Sequence, residues 1–398
     1  MKSQINVLII SKQYPPSSGG GGAHSYYLAN ALSKIKNVNV YMITSYVEER
    51  PIKEKILNKN LTVFRINFYD QQSESFGSAI QNCLALINNN EIKPDIIHAQ
   101  HIAGAYVGVH LSLVFNIPLI VTLHKTPIKW DKDIIRRSYT YCHLKFLTSL
   151  DQISIFIAGS KVFRKELIKL GVRNEKIRFI YHGVSIPTLK RLSFGNKKND
   201  SVREQLNLEK DEILFICPSR LDKRKKIELF ITAAGLLSNE MPEKKFRFLL
   251  TGTPLDDCEK KYLESLLLIA AEHNIKDNLI VKSFDFEEIP ALFRLAYACV
   301  LPSSREGLGL VVLEALAVHT PVIVSQGTGV NEIIKRNGKQ GLIFLEDDHD
   351  DLKRQMARLI VDNVLYKRLQ NTGFKLIKDE FEANDMATKY IDVYREFF

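Results

Sequence analysis

The chain has 398 residues, of which 45% are hydrophobic and 25% charged; this composition is typical of a globular protein, and because the length exceeds one ordinary core, we expect two domains. The apolar runs are too short to span a bilayer, and the first residues predict a strand rather than a secretory signal, which favours a cytoplasmic location. The five cysteines are scattered without metal-ligand spacing and are typical of reduced core residues, so no metal site is predicted.

Short apolar runs alternate with helical patterns along the first half of the chain. The helical patterns include Ser25–Lys34 and Lys161–Leu170. The predicted strands are Val7–Ser11, Val38–Thr44, Thr62–Ile66, Ile96–Ala99, Leu119–Leu123, Ile153–Ala158 and Ile177–Ile180. Such alternation predicts a parallel sheet with helices on both faces, and ligands of such sheets bind at the carboxyl ends of the strands.

A glycine-rich loop is predicted after the first strand. The residues Ser17-Ser18-Gly19-Gly20-Gly21-Gly22 lie between Tyr14-Pro15-Pro16 and a helix that starts near His24. The spacing is not that of a dinucleotide-binding fingerprint, and no acidic residue ends the second strand, which argues against a dehydrogenase. A phosphate-binding loop and a flexible surface loop both fit the pattern.

Histidines follow two later strands of this half. His98 and His101 follow Asp95-Ile96-Ile97, and His124 follows the strand that ends at Leu123. A lone histidine at a strand end is more often structural. We nevertheless select His124 as a site residue, because the carboxyl end of its strand is expected to face a cleft between two domains.

Positive charge is concentrated in the first half of the chain. Residues 1–190 hold 24 Lys and Arg against 12 Asp and Glu, whereas the whole chain carries +10. The segment 128–139 combines Trp130 with aliphatic and basic residues, a mixture that suits a helix on an anionic lipid surface. It predicts peripheral contact with an anionic membrane and a lipid-linked acceptor. The alternatives are that the excess is ordinary solubility charge, and that the acceptor is soluble with the aromatic residues packed inside the domain.

The polar stretch Thr188–Asp200 interrupts the alternation and is interpreted as a linker region. We therefore expect an N-terminal domain over residues 1–187 and a C-terminal domain over 188–380, with a final helix of about 381–398 packing back on the first. Helical patterns of the second half include Lys226–Ser238, Lys260–His273 and Leu310–Val318. Its predicted strands are Ile213–Pro218, Phe246–Thr251, Leu279–Lys282, Ala298–Leu301, Pro321–Ser325 and Gly341–Phe344.

A basic segment follows the first strand of the second half. Five cations lie between Arg220 and Lys226. Cations at the start of a helix oppose the helix dipole, so their presence there favours a function over simple solvation. Arg220, as a planar fork, and Lys225, as a point charge, are suited to neutralising a diphosphate.

Two carboxylates, Glu306 and Glu314, flank a glycine-containing junction between a strand and a helix. The glycines Gly307 and Gly309 allow a phosphate to approach backbone N–H groups at the helix start. Ionised carboxylates only accept hydrogen bonds and therefore suit hydroxyl groups. Phosphate and hydroxyl groups at one junction indicate a nucleotide sugar; a helix-start acid and a solvated helix residue are the alternatives.

Taken together, these segments resemble the retaining GT-B glycosyltransferases of family 4 along nearly the whole chain. The resemblance implies two doubly wound Rossmann-like α/β domains that face each other across a cleft. The segments are Tyr14-Pro15-Pro16 with Gly19–Gly22, Pro94–Gln100, Thr122-Leu123-His124, His182-Gly183-Val184, Arg220 with Lys225, Glu306–Glu314, Ala315-Leu316-Ala317, Thr320–Ile323 and Gly329–Ile334.

The family resemblance also implies roles for individual residues. Arg220 and Lys225 would hold the donor diphosphate, Glu306 the reacting sugar, and Glu314 the ribose hydroxyls. The implied catalytic residues are Glu306, Arg220, Lys225 and His124. Of these, His124 would touch the transferred sugar. The implied donor-binding residues are Gly20, Gly21, Gly22, Arg220, Lys225, Gly307, Leu308, Gly309, Leu310, Val311 and Glu314.

The implied reaction is transfer of a sugar from a nucleoside-diphosphate sugar to an acceptor hydroxyl, with no cofactor, no metal and no nucleic-acid partner. The chain departs from the family pattern at Lys125, His182 and Lys226, which bears on details of the substrates. Two alternatives stay open: a sugar-nucleotide epimerase or phosphorylase on the same scaffold, and a non-catalytic subunit that binds a sugar nucleotide.

Overall fold

The computed structural model describes residues 3–16, 19–48, 50–56, 60–68, 76–124, 139–193, 196–304 and 306–398. The chain divides into two compact units. Unit 1 comprises Met1–Gly183 and Ala383–Phe398, and unit 2 comprises Val184–Glu382. Among the described residues, no helix combines the length and the apolar character needed to cross a membrane.

Unit 1 contains a sheet whose described strands have the order β3-β4-β2-β1-β5-β6-β7-β8. The strands are β1 (Ile5–Ile10), β2 (Val38–Ser45), β3 (Lys53–Ile56), β4 (Leu61–Ile66), β5 (Ile96–Gln100), β6 (Leu119–Thr122), β7 (Ile153–Ala158) and β8 (Ile177–Phe179). The helices are α1 (Gly20–Leu32), α2 (Gly77–Asn88), α3 (His101–Phe115), α4 (Tyr139–Ser149) and α5 (Lys161–Lys169). Neighbouring strands are parallel, except that β3 runs antiparallel to β4 at the edge.

Unit 2 contains a parallel sheet whose described strands have the order β11-β10-β9-β12-β13-β14. The strands are β9 (Ile213–Cys217), β10 (Phe246–Leu250), β11 (Leu279–Val281), β12 (Ala298–Leu301), β13 (Val322–Ser325) and β14 (Leu342–Phe344). The helices are α6 (Ile186–Ser193), α7 (Asn196–Gln205), α8 (Ile227–Glu240), α9 (Asp257–Glu272), α10 (Ile289–Leu295), α11 (Leu310–Ala317), α12 (His349–Val361) and α13 (Asn363–Glu380).

Each sheet has a point at which the strand order changes direction. In unit 1 the chain proceeds outward from β1 through β2 and later in the opposite direction through β5, so the switch lies between β1 and β5. In unit 2 the same change occurs between β9 and β12. Loops that follow the two central strands at such a point diverge and leave a crevice, which is where doubly wound sheets bind ligands.

The stretch Thr188–Asp200 is helical, not a linker. Residues of α6 and α7 cover most of it, and α6 buries Leu189 and Leu192 against unit 2, where it contacts α10. The apolar side chains of α6 recur every three residues from Ile186, which gives the helix one buried face within a polar sequence.

The last helix of the chain, α14 (Ala383–Arg395), packs on α1 of unit 1. It buries the aromatic rings of Tyr390 and Tyr394 completely. An ion pair between Arg178 and Glu396, at 2.5 Å, holds the chain just beyond this helix to β8. The C-terminal segment thus supplies part of the core of unit 1.

Candidate functional site

Two loops of unit 2 meet at the switch between β9 and β12. The loop that follows β9 is called the basic loop, and the loop that follows β12 is called the glutamate loop. Arg220 and the 3₁₀ turn Lys223–Lys225 follow β9, and Glu306 follows β12. The backbone N–H of Ser304 donates to the carbonyl oxygen of Arg224 at 3.2 Å, which joins the two loops. Residues far apart in sequence are thereby brought to one crevice, because β9 and β12 are neighbours in the sheet.

Lys225 and Glu306 contact each other directly. The Lys225 Nζ atom donates to Glu306 Oε2 at 2.5 Å. Their side chains are 22% and 21% exposed, so water screens the pair less than at an open surface. In the free protein the charge of Lys225 is therefore compensated by a carboxylate that a bound anion would have to share or replace.

Asp222 and Arg224 hold the turn that carries Lys225. The Asp222 carboxylate accepts a hydrogen bond from the Arg224 backbone N–H at 3.0 Å and pairs with its guanidinium group. Partial burial alone would raise the pKa of Asp222, but hydrogen bonds from Arg224 lower it to about 2. Asp222 stays ionised at neutral pH and stabilises the turn. Sequence reasoning missed this role, although an aspartate before a short turn is a common capping signal.

Lys226 adopts the left-handed backbone conformation, with φ of 51°. Glycine and asparagine tolerate this conformation best, so a lysine is an unusual residue at this position. The Lys226 ammonium group pairs with Asp347 at 3.2 Å. The Lys226 side chain is thus directed to a partner in unit 2. Arg220, at the start of the same loop, is exposed.

Glycines allow close backbone packing at the start of α11. Gly309 is the N-cap residue with φ of 72°, and it offers no side chain to cap the helix. A Cβ atom on Gly329 would lie 2.0 Å from the carbonyl oxygen of Gly307, and the N–H of Gly329 donates to the Glu306 carbonyl at 3.0 Å. The 3₁₀ turn 329–332 therefore supports the glutamate loop from behind, a role that sequence reasoning did not assign.

The predicted donor-binding residues around α11 differ in what they expose. The side chains of Leu308 and Leu310 are buried, so these two residues can offer a ligand mainly their backbone. Val311 is partly exposed. Glu314 lies one turn further along α11 and is only 5% exposed.

The glycine segment of unit 1 is helical rather than a loop, because α1 begins at Gly20. Ser17 and Ser18 lie outside the described residues. A Cβ atom on Gly20 would meet open space, but one on Gly21 would lie 2.0 Å from His101 Nε2. The absence of a side chain at Gly21 makes room for an imidazole ring, and Gly22 packs against Gln13.

Histidine rings gather beside the switch between β1 and β5. The ring centroids of His24 and His182 are 4.0 Å apart, and those of His101 and His124 are 4.4 Å apart. His124 lies 5.0 Å from His24 and 4.9 Å from His182. In the described part of the chain, no three His, Cys, Asp or Glu side chains are arranged to hold a metal ion. The rings are tilted against one another, with interplanar angles between 34° and 59°.

Burial keeps His24, His124 and His182 neutral. It lowers the pKa values of His24 and His124 well below the usual range, and neighbouring histidines lower them further. Burial also lowers the pKa of His182 to about 4. The His124 Nε2 atom lies 2.7 Å from the Gln100 Oε1 atom, within hydrogen-bond distance. Lys125 and nearly all of the segment 128–139 lie outside the described residues.

The two parallel α/β units, with a basic loop and a glutamate loop at the switch of the second, define a GT-B glycosyltransferase. Residues 18–186 match the family model Glycosyltransferase Family 4, and residues 198–376 match Glycosyl transferases group 1. The chain belongs to glycosyltransferase family 4. The fold class and the family expected from the sequence are thus confirmed.

Relatives of the chain span its full length at low identity. An uncharacterised glycosyltransferase from Methanocaldococcus jannaschii is 22% identical, with 98% of each chain covered. The structure is similar to sucrose-phosphate synthase from Thermosynechococcus elongatus, with a TM-score of 0.80, 22% identity and 99% of both chains covered. It is also similar to Anabaena HepE in complex with UDP-glucose, with a TM-score of 0.75, 16% identity, and 99% and 100% covered.

Proposed function

We propose that this glycosyltransferase transfers a sugar from a nucleoside-diphosphate sugar to an acceptor hydroxyl and retains the anomeric configuration. The observation that carries the proposal is the contact of Lys225 with Glu306 beside the uncapped start of α11. A cation, a carboxylate and helix N–H groups at one switch point suit a ligand that has phosphates and hydroxyls. The complex of Anabaena HepE with UDP-glucose supports a donor of this class.

In the proposed reaction, negative charge develops on the departing diphosphate as the bond to the sugar breaks. Arg220, Lys225 and the N-terminus of α11 stabilise that charge, which is usually the largest catalytic contribution. The phosphate replaces Glu306 as the partner of Lys225, and the released Glu306 carboxylate contacts the sugar. Glu314 accepts hydrogen bonds from the ribose. The departing phosphate takes the proton of the acceptor hydroxyl on the same face of the sugar. No side chain is assigned as a general base.

The donor class is tested by a panel of nucleotide sugars. Thermal shift identifies the donors that bind, and product analysis with a hydroxyl acceptor identifies transfer. Nuclear magnetic resonance of the product gives the anomeric configuration, for which retention is expected. Epimerised donor or sugar 1-phosphate as the sole product would favour an epimerase or a phosphorylase. Binding without turnover of the isolated protein would favour a non-catalytic subunit.

We also propose that transfer requires no metal ion, because Arg220 and Lys225 supply positive charge to the diphosphate. Activity should survive dialysis against EDTA. Loss of activity that added Mg²⁺ or Mn²⁺ restores would contradict this part of the proposal and leave the donor class intact.

For the acceptor, we propose a membrane-borne molecule approached from unit 1. The exposed face of α5 carries Lys161, Arg164, Lys165 and Lys169, whereas its acidic residue, Glu166, is buried. Ile168, among these cations on the same helix, is 47% exposed. Apolar side chains among cations favour an anionic lipid surface, with about 1 kcal/mol for each basic residue near it.

Sedimentation with anionic vesicles tests the membrane proposal. Wild-type protein should sediment at low salt and be released at high salt, because the contact is screened within a Debye length. The double substitution Lys165→Glu with Lys169→Glu should abolish sedimentation. Lys261→Glu with Lys276→Glu makes the same charge change on unit 2 and should have little effect. No sedimentation of the wild type at low salt would direct the search to soluble acceptors.

A further inference from the structure

A buried network of side chains links His124 to the C-terminal helix of the chain. Gln100, the last residue of β5, lies between two histidines: its Oε1 atom is 2.7 Å from His124 Nε2, and its Nε2 atom is 3.1 Å from His98 Nε2. His98 in turn contacts Tyr394 on α14 through Nδ1, at 2.7 Å. Gln100 and His98 are fully buried.

The strand register explains why Gln100 is placed to make these contacts. Gln100 is opposite Thr122 in the parallel pairing of β5 with β6, and His124 follows two residues later. His98 is two residues before Gln100, so both side chains lie on the same face of β5. The Thr122 hydroxyl is also 2.8 Å from His98 Nε2.

We propose that Gln100 is a positioning residue that fixes the tautomer of His124, with the proton on Nε2 and the lone pair on Nδ1. An amide oxygen can only accept a hydrogen bond, so its partner Nε2 must carry the proton. The amide nitrogen of Gln100 can only donate, which makes His98 Nε2 an acceptor and places the His98 proton on Nδ1, facing Tyr394. The tautomers of both histidines follow from the orientation of one amide.

The functional consequence rests on the proposed function and on the contact with the transferred sugar that the family resemblance implies for His124. With the proton held on Nε2, His124 offers Nδ1 to a ligand as an acceptor, and it therefore selects a sugar hydroxyl that donates. If the tautomer were free to exchange, only part of the protein would be competent at any moment, and the apparent activity would fall to that competent fraction of its full value. Tyr394 ties this arrangement to α14.

The tautomer is measured directly in the free protein. The ¹⁵N chemical shifts of the imidazole nitrogens distinguish the two neutral forms, and comparison with His124→Asn identifies the signals of His124. The expected result is a single form protonated on Nε2 in the wild type and in Gln100→Glu, which keeps an acceptor oxygen. Gln100→Met, of similar size, should show a mixture. Protonation of wild-type His124 on Nδ1, or an unchanged spectrum in Gln100→Met, would overturn the assignment.

Kinetics test the functional consequence separately. Gln100→Met should lower kcat/KM by the same factor as the population of His124 protonated on Nε2, about twofold for an equal mixture, and Gln100→Glu should restore most of it. Tyr394→Phe keeps the packing of α14 and should produce a smaller loss in the same direction. A changed tautomer with unchanged kcat/KM would overturn the role of Gln100 in catalysis. If no donor supports transfer although the tautomer is as expected, the proposed function fails and the tautomer assignment stands.

Discussion

At the scale of single residues, the contact between Lys225 and Glu306 determines how the site responds to an anion. The Lys225 Nζ and Glu306 Oε2 atoms are 2.5 Å apart, and both side chains are partly shielded from water. A diphosphate that binds beside Lys225 competes with Glu306 for the ammonium group, and the released carboxylate becomes available to hydroxyl groups. In the proposed function, this ion pair neutralises Lys225 before the donor binds and then presents two different groups to the donor.

Lys225→Ala should lower kcat/KM by about a hundredfold or more, since a charge-assisted contact to the leaving phosphate contributes roughly 2–4 kcal/mol in the transition state. Steady-state kinetics with an identified donor measure the loss. Lys223→Ala, an exposed cation on the same 3₁₀ turn, is the matched control and should remain close to the wild type. Near-normal turnover of folded Lys225→Ala protein would remove Lys225 from the catalytic residues.

The two glutamates should differ in their kinetic effects. Glu314→Gln should mainly raise the KM for the donor, because ribose contacts are similar in the ground state and the transition state. Glu306→Gln should mainly lower kcat, because this carboxylate is assigned to the reacting sugar and also holds Lys225 in place. Measuring both constants for both variants checks the difference; an equal rise in KM with unchanged kcat in the two proteins would contradict the assignment.

At the scale of elements, the support of the glutamate loop by the turn 329–332 can be tested with one methyl group. In Gly329→Ala the new Cβ would lie 2.0 Å from the Gly307 carbonyl oxygen, a backbone atom that can move only with its loop. We expect at least a tenfold loss of kcat/KM, equivalent to about 1.4 kcal/mol.

A control for this substitution is Gly373→Ala, whose Cβ would press on the flexible end of the Leu316 side chain, 2.5 Å away. This change should lower the unfolding temperature with little effect on donor KM. If Gly329→Ala and Gly373→Ala lose stability and activity in the same proportion, the turn has no special role at the site.

Elements were predictable from the sequence where burial imposed a clear pattern. The central strands appear as apolar runs and lie close to their expected positions. The edge strand β3 was not predicted, because three of its four residues are charged and the strand alternates between exposed and partly exposed positions. The helical start at Gly20 was also missed, since glycine disfavours helices and only the packing of α1 overrides that preference.

The contacts of the site depended on strand order, which the sequence does not display. Lys225 and Glu306 are 81 residues apart and meet only because β9 and β12 are neighbours. Gln100 and His124 meet because β5 is beside β6. The residue types and their positions at strand ends were predictable from chemistry; their pairing required the register of the sheets.

At the scale of the whole molecule, burial of histidines should limit stability in acid. Burial lowers the pKa of His98 to about 3 and that of His182 to about 4, and the pKa values of His24 and His124 are lowered as well. The unfolded chain, with ordinary histidine pKa values of about 6.5, therefore takes up protons first as the pH falls. The stability that neutral histidines give is complete above about pH 6.5 and is lost below it.

The substitution His182→Asn should reduce this acid sensitivity. Each histidine that stays neutral in the folded state lowers the free energy of unfolding by about 1.4 kcal/mol per pH unit below pH 6.5. Thermal unfolding followed by circular dichroism at about pH 7.5 and about pH 5.5 gives the decline for each protein. The stability of His182→Asn should fall less between the two pH values than that of the wild type. The stability of His110→Asn, which removes an exposed histidine of α3, should fall as much as that of the wild type. Carboxylates contribute the same acid effect to all three proteins, so they cancel in the comparison. A decline in His182→Asn that matches the wild type would mean that the ring of His182 takes up its proton without unfolding unit 1.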